Sequence, residues 1–268
     1  MGVVVMRLQE QLLTSRTQVS GMFALLPLEG IPYSRLSEWP DALVRVCATP
    51  AIGAGFAEYR IDLQPGQNGG HEADGEIEHF LFVLDGNATL SLAGRDTVSG
   101  SANPGLTREH ALKPGSYALL PPDCSYRFEA TKQTSILLLR KRYEWLEGVE
   151  CFAPRVSNES DVQGEVYMGI EGALLQTLVP DEFSFDMAMN IFTFQTGHSL
   201  PVTETHVMEH GLYVLAGKGL YFLDDRWMEV EASDFIWMGP FCPQSYYATG
   251  PVPTRYIYYK NVNREFKL

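Results

Sequence analysis

The chain reads as an all-β protein of two tandem barrel-like sandwiches with few short helices, on three grounds. Short apolar or alternating runs recur between Gly and Pro, as in Gly55-Phe56-Ala57-Glu58-Tyr59-Arg60-Ile61-Asp62-Leu63 ahead of Gln64-Pro65-Gly66. Punctuated short strands of this kind build sandwiches and barrels. A β unit then occurs twice. Glu78-His79-Phe80-Leu81-Phe82-Val83-Leu84-Asp85-Gly86 matches Glu209-His210-Gly211-Leu212-Tyr213-Val214-Leu215-Ala216-Gly217 in register, down to the Glu-His pair and the closing glycine. Downstream of each copy a turn leads into an apolar strand ended by Pro: Leu112-Lys113-Pro114-Gly115-Ser116-Tyr117-Ala118-Leu119-Leu120-Pro121 in the first, Val230-Glu231-Ala232-Ser233-Asp234-Phe235-Ile236-Trp237-Met238-Gly239-Pro240 in the second.

Composition allows such a fold and excludes several functions. With 268 residues, 45% of them hydrophobic and 12% aromatic, there is ample material for a packed core. A formal net charge of −13 argues against nucleic acid and anionic membrane surfaces, whose phosphates reward clustered Lys and Arg. Small-molecule substrates stay open. Cys47, Cys124, Cys151 and Cys242 are scattered without a CxxC pair, so reduced thiols are expected rather than a disulfide scaffold or a thiolate zinc cage. The run Gly2-Val3-Val4-Val5-Met6 is too short for a signal or membrane segment, and the chain reads as soluble and cytoplasmic.

In chain order, residues 1–45 combine a short helix at Arg7 to Leu13 with turns around Pro27, Gly30, Pro32 and Pro40. Strand-like runs begin at Cys47. The two copies join between Arg140-Lys141-Arg142 and about Val166, a stretch with Pro154, Ser157, Asn158 and Ser160 and little periodicity. The expected division is therefore 1–146 for the first barrel with its leading segment and 147–268 for the second.

The chemistry gathers at Glu204-Thr205-His206-Val207-Met208-Glu209-His210. Read as a strand, this segment turns Glu204, His206 and His210 to one side, because residues two apart share a face. A carboxylate and two imidazoles on one wall outline a metal site. The plain alternative is a set of solvated edge residues, the default for any single strand histidine. His71, His110 and His198 lie near turn residues and read as surface.

A strand of metal ligands, a glycine after a fixed interval and a proline-rich turn resemble the cupins. The usual cupin pattern has two histidines two apart and a glutamate four further on; counting back from Gly217, those places hold Glu204, His206 and His210. After Gly239-Pro240-Phe241-Cys242-Pro243 the last ligand place holds Gln244. Counted from Gly86, the first copy has Ala73, Gly75 and His79, with Ser125 near the turn, so it keeps the scaffold without the ligands. The Glu-x-His-xxx-His set followed by Gln, in a bicupin of this length, is similar to the (S)-ureidoglycine aminohydrolase family. Gly21-Met22-Phe23-Ala24-Leu25-Leu26-Pro27, Phe185-Asp186-Met187-Ala188-Met189 and the run from Tyr256 to Arg264 extend the likeness over nearly the whole chain, and the Gly69 to Gly75 stretch departs most from it.

The resemblance implies one Mn2+ per chain held by Glu204, His206, His210 and Gln244, with Tyr221, Tyr256 and Lys260 contacting substrate, in purine (allantoin) catabolism. It also implies a homo-oligomer, since long sandwich strands leave edges that need cover. Independently of the name, two imidazoles, a carboxylate and an amide oxygen suit manganese or ferrous iron, and an octahedral ion keeps positions open for substrate. Lys260 and Glu204 are the candidates for proton transfer, with Gln244, Tyr221 and Tyr256 holding the ligand. Each has an ordinary reading too: Tyr221 as a core aromatic, Lys260 as a solvated strand end, Gln244 as a turn residue. Glu78 and Glu209, present in both copies, read as structural partners rather than catalysts. Two other classes stay open, a non-haem iron dioxygenase built on the same two histidines and carboxylate, and a non-enzymatic storage or sensing bicupin. No helix-turn-helix or basic patch suggests a DNA-binding regulator.

Overall fold

In the computed structural model, residues 16–93 and 108–265 are described, and the helix expected at Arg7 to Leu13 lies outside them. The regular structure of the described residues is almost all strand, with three short 3-10 turns. Two large sheets carry the architecture. The first orders its strands as Arg155–Asn158, Ser116–Leu120, Ile77–Asp85, Thr134–Arg142, Ala57–Leu63, Trp39–Ala48 and Tyr33–Leu36. The second runs Gln18–Val19, Phe23–Leu26, Phe235–Met238, His210–Ala216, Thr254–Asn261, Met187–Phe194, Ile170–Thr177 and Glu165–Tyr167. A four-stranded and a three-stranded sheet close the two barrels.

Each large sheet takes a strand from across the 146/147 division. Phe23–Leu26 pairs antiparallel with Phe235–Met238 of the second sheet, and Arg155–Asn158 pairs with Ser116–Leu120 of the first. Pairing satisfies backbone groups along edges that would otherwise stay open.

Strand alternation then divides the buried apolar side chains among three cores. On His210–Ala216 and Thr254–Asn261, Leu212, Val214 and Tyr256 point into the second barrel, while Tyr213, Ile257 and Tyr259 point to the first sheet. The facing residues there are Phe80, Phe82, Leu137 and Leu139, so the two sheets pack back to back through one shared apolar layer. Leu81, Val83, Ile136 and Leu138 fill the interior of the first barrel with Trp39 and Phe128. The closing glycines of the repeat do the same job twice. Gly86 and Gly217 have φ of +87° and +78°, and a Cβ there would lie 2.1 Å from the Gln133 carbonyl oxygen and 2.7 Å from that of Pro253.

Charge is buried in the layer between the barrels. Lys141 pairs with Asp186 of the second barrel and with Glu78 at 3.4 Å, all three being buried. Burial and the neighbouring Asp186 push the Glu78 carboxyl well above the usual range, against the pull of Lys141. Removing one member of such a cluster leaves an uncompensated buried charge. Lys141→Met is therefore expected to cost about 3–5 kcal/mol, a fall in Tm on the order of 10 °C by calorimetry.

Glu58 is also buried, and burial pushes its carboxyl up to about 8. Between its ordinary value near 4.5 and about 8, the unfolded chain releases a proton that the folded chain keeps, so stability falls as pH rises through that window. Glu58→Gln is expected to leave Tm unchanged at pH 5 and to raise it at pH 8, measured as paired melts across that range.

Candidate active site

The expected strand over residues 204–217 begins only at His210. Before it the chain loops, with Pro201 inside the bend, and Glu204 is held by an isolated antiparallel bridge to Gln244. Both bridge bonds form, Glu204 N–H to Gln244 O at 2.8 Å and Gln244 N–H to Glu204 O at 2.9 Å. The Phe241 N–H, in the turn ahead of Gln244, also reaches the His206 carbonyl at 2.7 Å. A folded-back loop, not a pleat, thus brings Glu204 and His206 to the wall where His210 stands.

Glu204, His206, His210, Tyr221, Gln244, Tyr256 and Lys260 all line one cavity of about 430 Å³ in the second barrel. His210 Nε2 lies 3.1 Å from His206 Nε2, and the Gln244 amide nitrogen lies 3.3 Å from the same His206 atom. The opposite ring nitrogens face carbonyls: His206 Nδ1 is 3.1 Å from Met208 O, and His210 Nδ1 is 3.2 Å from Tyr259 O. Each Nδ1 therefore carries the hydrogen, and each Nε2 presents a lone pair to the cavity. Burial, with His206 and Lys260 nearby, pushes His210 down to about 3, and burial also lowers His206. Both rings stay neutral at physiological pH. Two neutral nitrogens turned lone pair to lone pair repel, and a cation between them would relieve the repulsion.

Gln244 completes the donor set. Its Oε1 accepts from the Tyr221 hydroxyl at 3.3 Å. A half-turn of the amide would exchange the two ends, giving an oxygen to the imidazoles and an N–H to Tyr221. Glu204 lines the cavity, and its Oε1 accepts from the Tyr167 hydroxyl at 3.0 Å. Among the described residues no three His, Cys, Asp or Glu side chains meet closely enough to hold a metal by themselves. Two imidazoles and an amide converging, with a carboxylate on the same cavity, is the set that manganese or ferrous iron accepts.

Lys260 is the strand partner of His210 and enters the same cavity. Tyr221 and Tyr256 are buried, and burial pushes both hydroxyls well above the ordinary tyrosine range, so they act as neutral donors. The cavity also takes aromatic residues that no motif marks as functional. Tyr258 falls between Tyr256 and Lys260 in the period-two run, which could have found it; its hydroxyl accepts from Asn190 at 3.1 Å. Phe192 and Tyr167 come from distant strands and leave no motif.

The other candidates settle as follows. Glu209 is buried beside His210 yet turns to the first barrel, accepting from the Gly55 N–H at 3.0 Å and from Trp237 Nε1 at 3.2 Å. In the first barrel His79 is 1% exposed and packs against His71, ring centroids 4.3 Å apart. His71 is not a free surface residue, because Glu38 Oε1 lies 3.1 Å from its Nδ1 and Asp74 Oδ2 lies 3.5 Å from its Nε2. His198 is exposed. All four cysteines are free, and among the described residues no helix is long and apolar enough to cross a membrane.

Two back-to-back β-barrels, one of them enclosing a cavity with converging imidazoles, make this a bicupin. Solved structures agree: the chain resembles an oxalate decarboxylase from Bacillus subtilis in fold, with a TM-score of 0.67 at 13% identity over 93% of this chain and 79% of that one. A crystal structure of the protein Ylba from E. coli matches with a TM-score of 0.79 and 30% identity over 97% and 99% of the two chains. Among curated proteins, the (S)-ureidoglycine aminohydrolase of Escherichia coli (strain K12) is 34% identical over 269 residues, 97% of this chain and 96% of that protein. That of Arabidopsis thaliana is 33% identical over 245 residues, 90% of this chain and 76% of that protein. No family model matches the chain. The chain belongs to the (S)-ureidoglycine aminohydrolase family and is an enzyme of it.

Proposed function

We propose that this protein hydrolyses (S)-ureidoglycine to (S)-ureidoglycolate and ammonia in allantoin breakdown, with manganese held by Glu204, His206, His210 and Gln244 in the barrel of residues 147–268. The observation that carries the metal reading is the pair of neutral Nε2 atoms 3.1 Å apart in a cavity that Lys260 shares. Kinship supports the reaction, since relatives of that name match over most of the chain.

The reaction breaks the bond from the α-carbon to the amino nitrogen, forms one from that carbon to a water oxygen, and transfers no electrons. The departing nitrogen needs a proton, and the incoming water must lose one. Manganese would supply Lewis-acid charge there. Lys260, a cation without an ion-pair partner among the described residues, is the candidate to bind the substrate carboxylate or to pass a proton to the leaving amine, a role its presence in the cavity lining supports. Glu204 is the candidate base for the water. Tyr221 and Tyr256 hydroxyls donate to the ureido or carboxylate oxygens, and Phe192 and Tyr258 add aromatic wall to the cavity. Binding one face of the α-carbon toward Glu204 would make the product a single enantiomer.

We read the protein as a cytoplasmic homo-oligomer that touches neither nucleic acid nor membrane. Free thiols and the acidic composition support the first part, and exposed Val202, Trp227 and Tyr247 offer apolar surface for self-association. Turnover in oxygen-18 water tests the chemistry. Product carrying the label at its hydroxyl with no uptake of dioxygen supports hydrolysis, and dioxygen consumption would move the reading to an iron dioxygenase.

A further inference from the structure

Glu204 lies outside every strand, so no pleat aims its side chain, and its backbone bridge to Gln244 leaves the carboxylate free to rotate. One side chain limits that freedom. The Tyr167 hydroxyl donates to Glu204 Oε1 at 3.0 Å from a position 37 residues away in sequence. Tyr167 is itself well anchored. Its ring stands edge-on to Phe192, centroids 4.8 Å apart and planes at 87°. It closes the strand Glu165–Tyr167 at the edge of the eight-stranded sheet, pairing with Ile170 across a two-residue turn. Met168 and Gly169 in that turn have φ of +49° and +76°, the left-handed pair that makes a tight hairpin.

The arm leading into the hairpin is tied down as well. Gln176 Nε2 donates to the Glu159 and Val162 carbonyls at 2.9 and 2.8 Å, and Arg255 pairs with Glu159 at 2.5 Å. Val166 and Met168 point to solvent, 51% and 63% exposed, while Tyr167 between them lines the cavity. A neutral donor suits the task. It orients the carboxylate without cancelling its charge, which an arginine in the same place would do.

We infer that Tyr167 is a positioning residue that fixes the Glu204 carboxylate as an anionic ligand, so that the edge hairpin forms part of the site. This rests on the reading of Glu204 as a manganese ligand. The test is a manganese titration of metal-free protein by calorimetry for wild type, Tyr167→Phe, Glu204→Gln and the double variant, with a thermal melt of each metal-free form. Tyr167→Phe is expected to weaken manganese binding about 10- to 100-fold, the usual loss when the partner of a ligand is removed, with the metal-free melt unchanged. On the Glu204→Gln background the same substitution is expected to add no further loss, since Tyr167 acts through that carboxylate. Wild-type affinity in Tyr167→Phe, or equal losses on both backgrounds, would overturn the inference while leaving manganese in place. Wild-type protein that takes up no manganese would sink the metal reading itself.

Discussion

His210→Ala is expected to strip the protein of manganese and to lower kcat/KM on the order of 10³-fold or more, because a Lewis-acid ion contributes several kcal/mol to such a reaction. His210 is the best-held donor in the site: it is buried, hydrogen-bonded through Nδ1 to the Tyr259 carbonyl, and registered opposite Lys260 on the neighbouring strand. Alanine there also opens a gap behind Tyr258, whose ring lies 5.5 Å from the imidazole. Metal content after dialysis, read beside ammonia release, separates the two effects. Protein that keeps its manganese and its turnover without His210 would remove this residue from the ligand set.

Lys260→Met should keep the metal and lose the chemistry. Methionine keeps much of the length and apolar stem of lysine without the charge, so the strand pairing from Met187–Asn261 to Phe194–Thr254 has no reason to change. If Lys260 delivers the proton to the departing amine, kcat falls about 10²- to 10⁴-fold. If it only binds the carboxylate equally in ground and transition states, KM rises and kcat holds. A variant with both constants unchanged would take Lys260 out of the reaction.

The repeat made the fold legible from sequence. A Glu-His pair and a closing glycine at the same spacing mark the same strand twice, and Gly86 and Gly217 meet the same positive-φ requirement in the structure. Tyr256 and Lys260, which line the cavity, are singled out by the family resemblance; alternation alone is equally compatible with a solvated strand end at Lys260. What stayed hidden arises from pairing between distant segments. Nothing in Phe23-Ala24-Leu25-Leu26 says which sheet it joins, because any apolar strand fits an open edge. The ligand segment reads as continuous strand in sequence because its alternation of Glu204 and His206 is also what a loop folded against Gln244 presents. Tyr167 had no signal at all, since one tyrosine in a polar stretch is indistinguishable from a surface residue until the hairpin closes over Glu204. His71 reads as a surface residue for a similar reason: Glu38 and Asp74 flank it in space, and only Asp74 is near it in sequence.

The most direct measurement is ammonia release from freshly prepared (S)-ureidoglycine by metal-stripped protein, with and without added manganese, beside Glu204→Ala under both conditions. Release that depends on manganese in the wild type and is lost in the variant is the predicted result. Release unaffected by stripping, or none above the uncatalysed decay while manganese is bound, would contradict it.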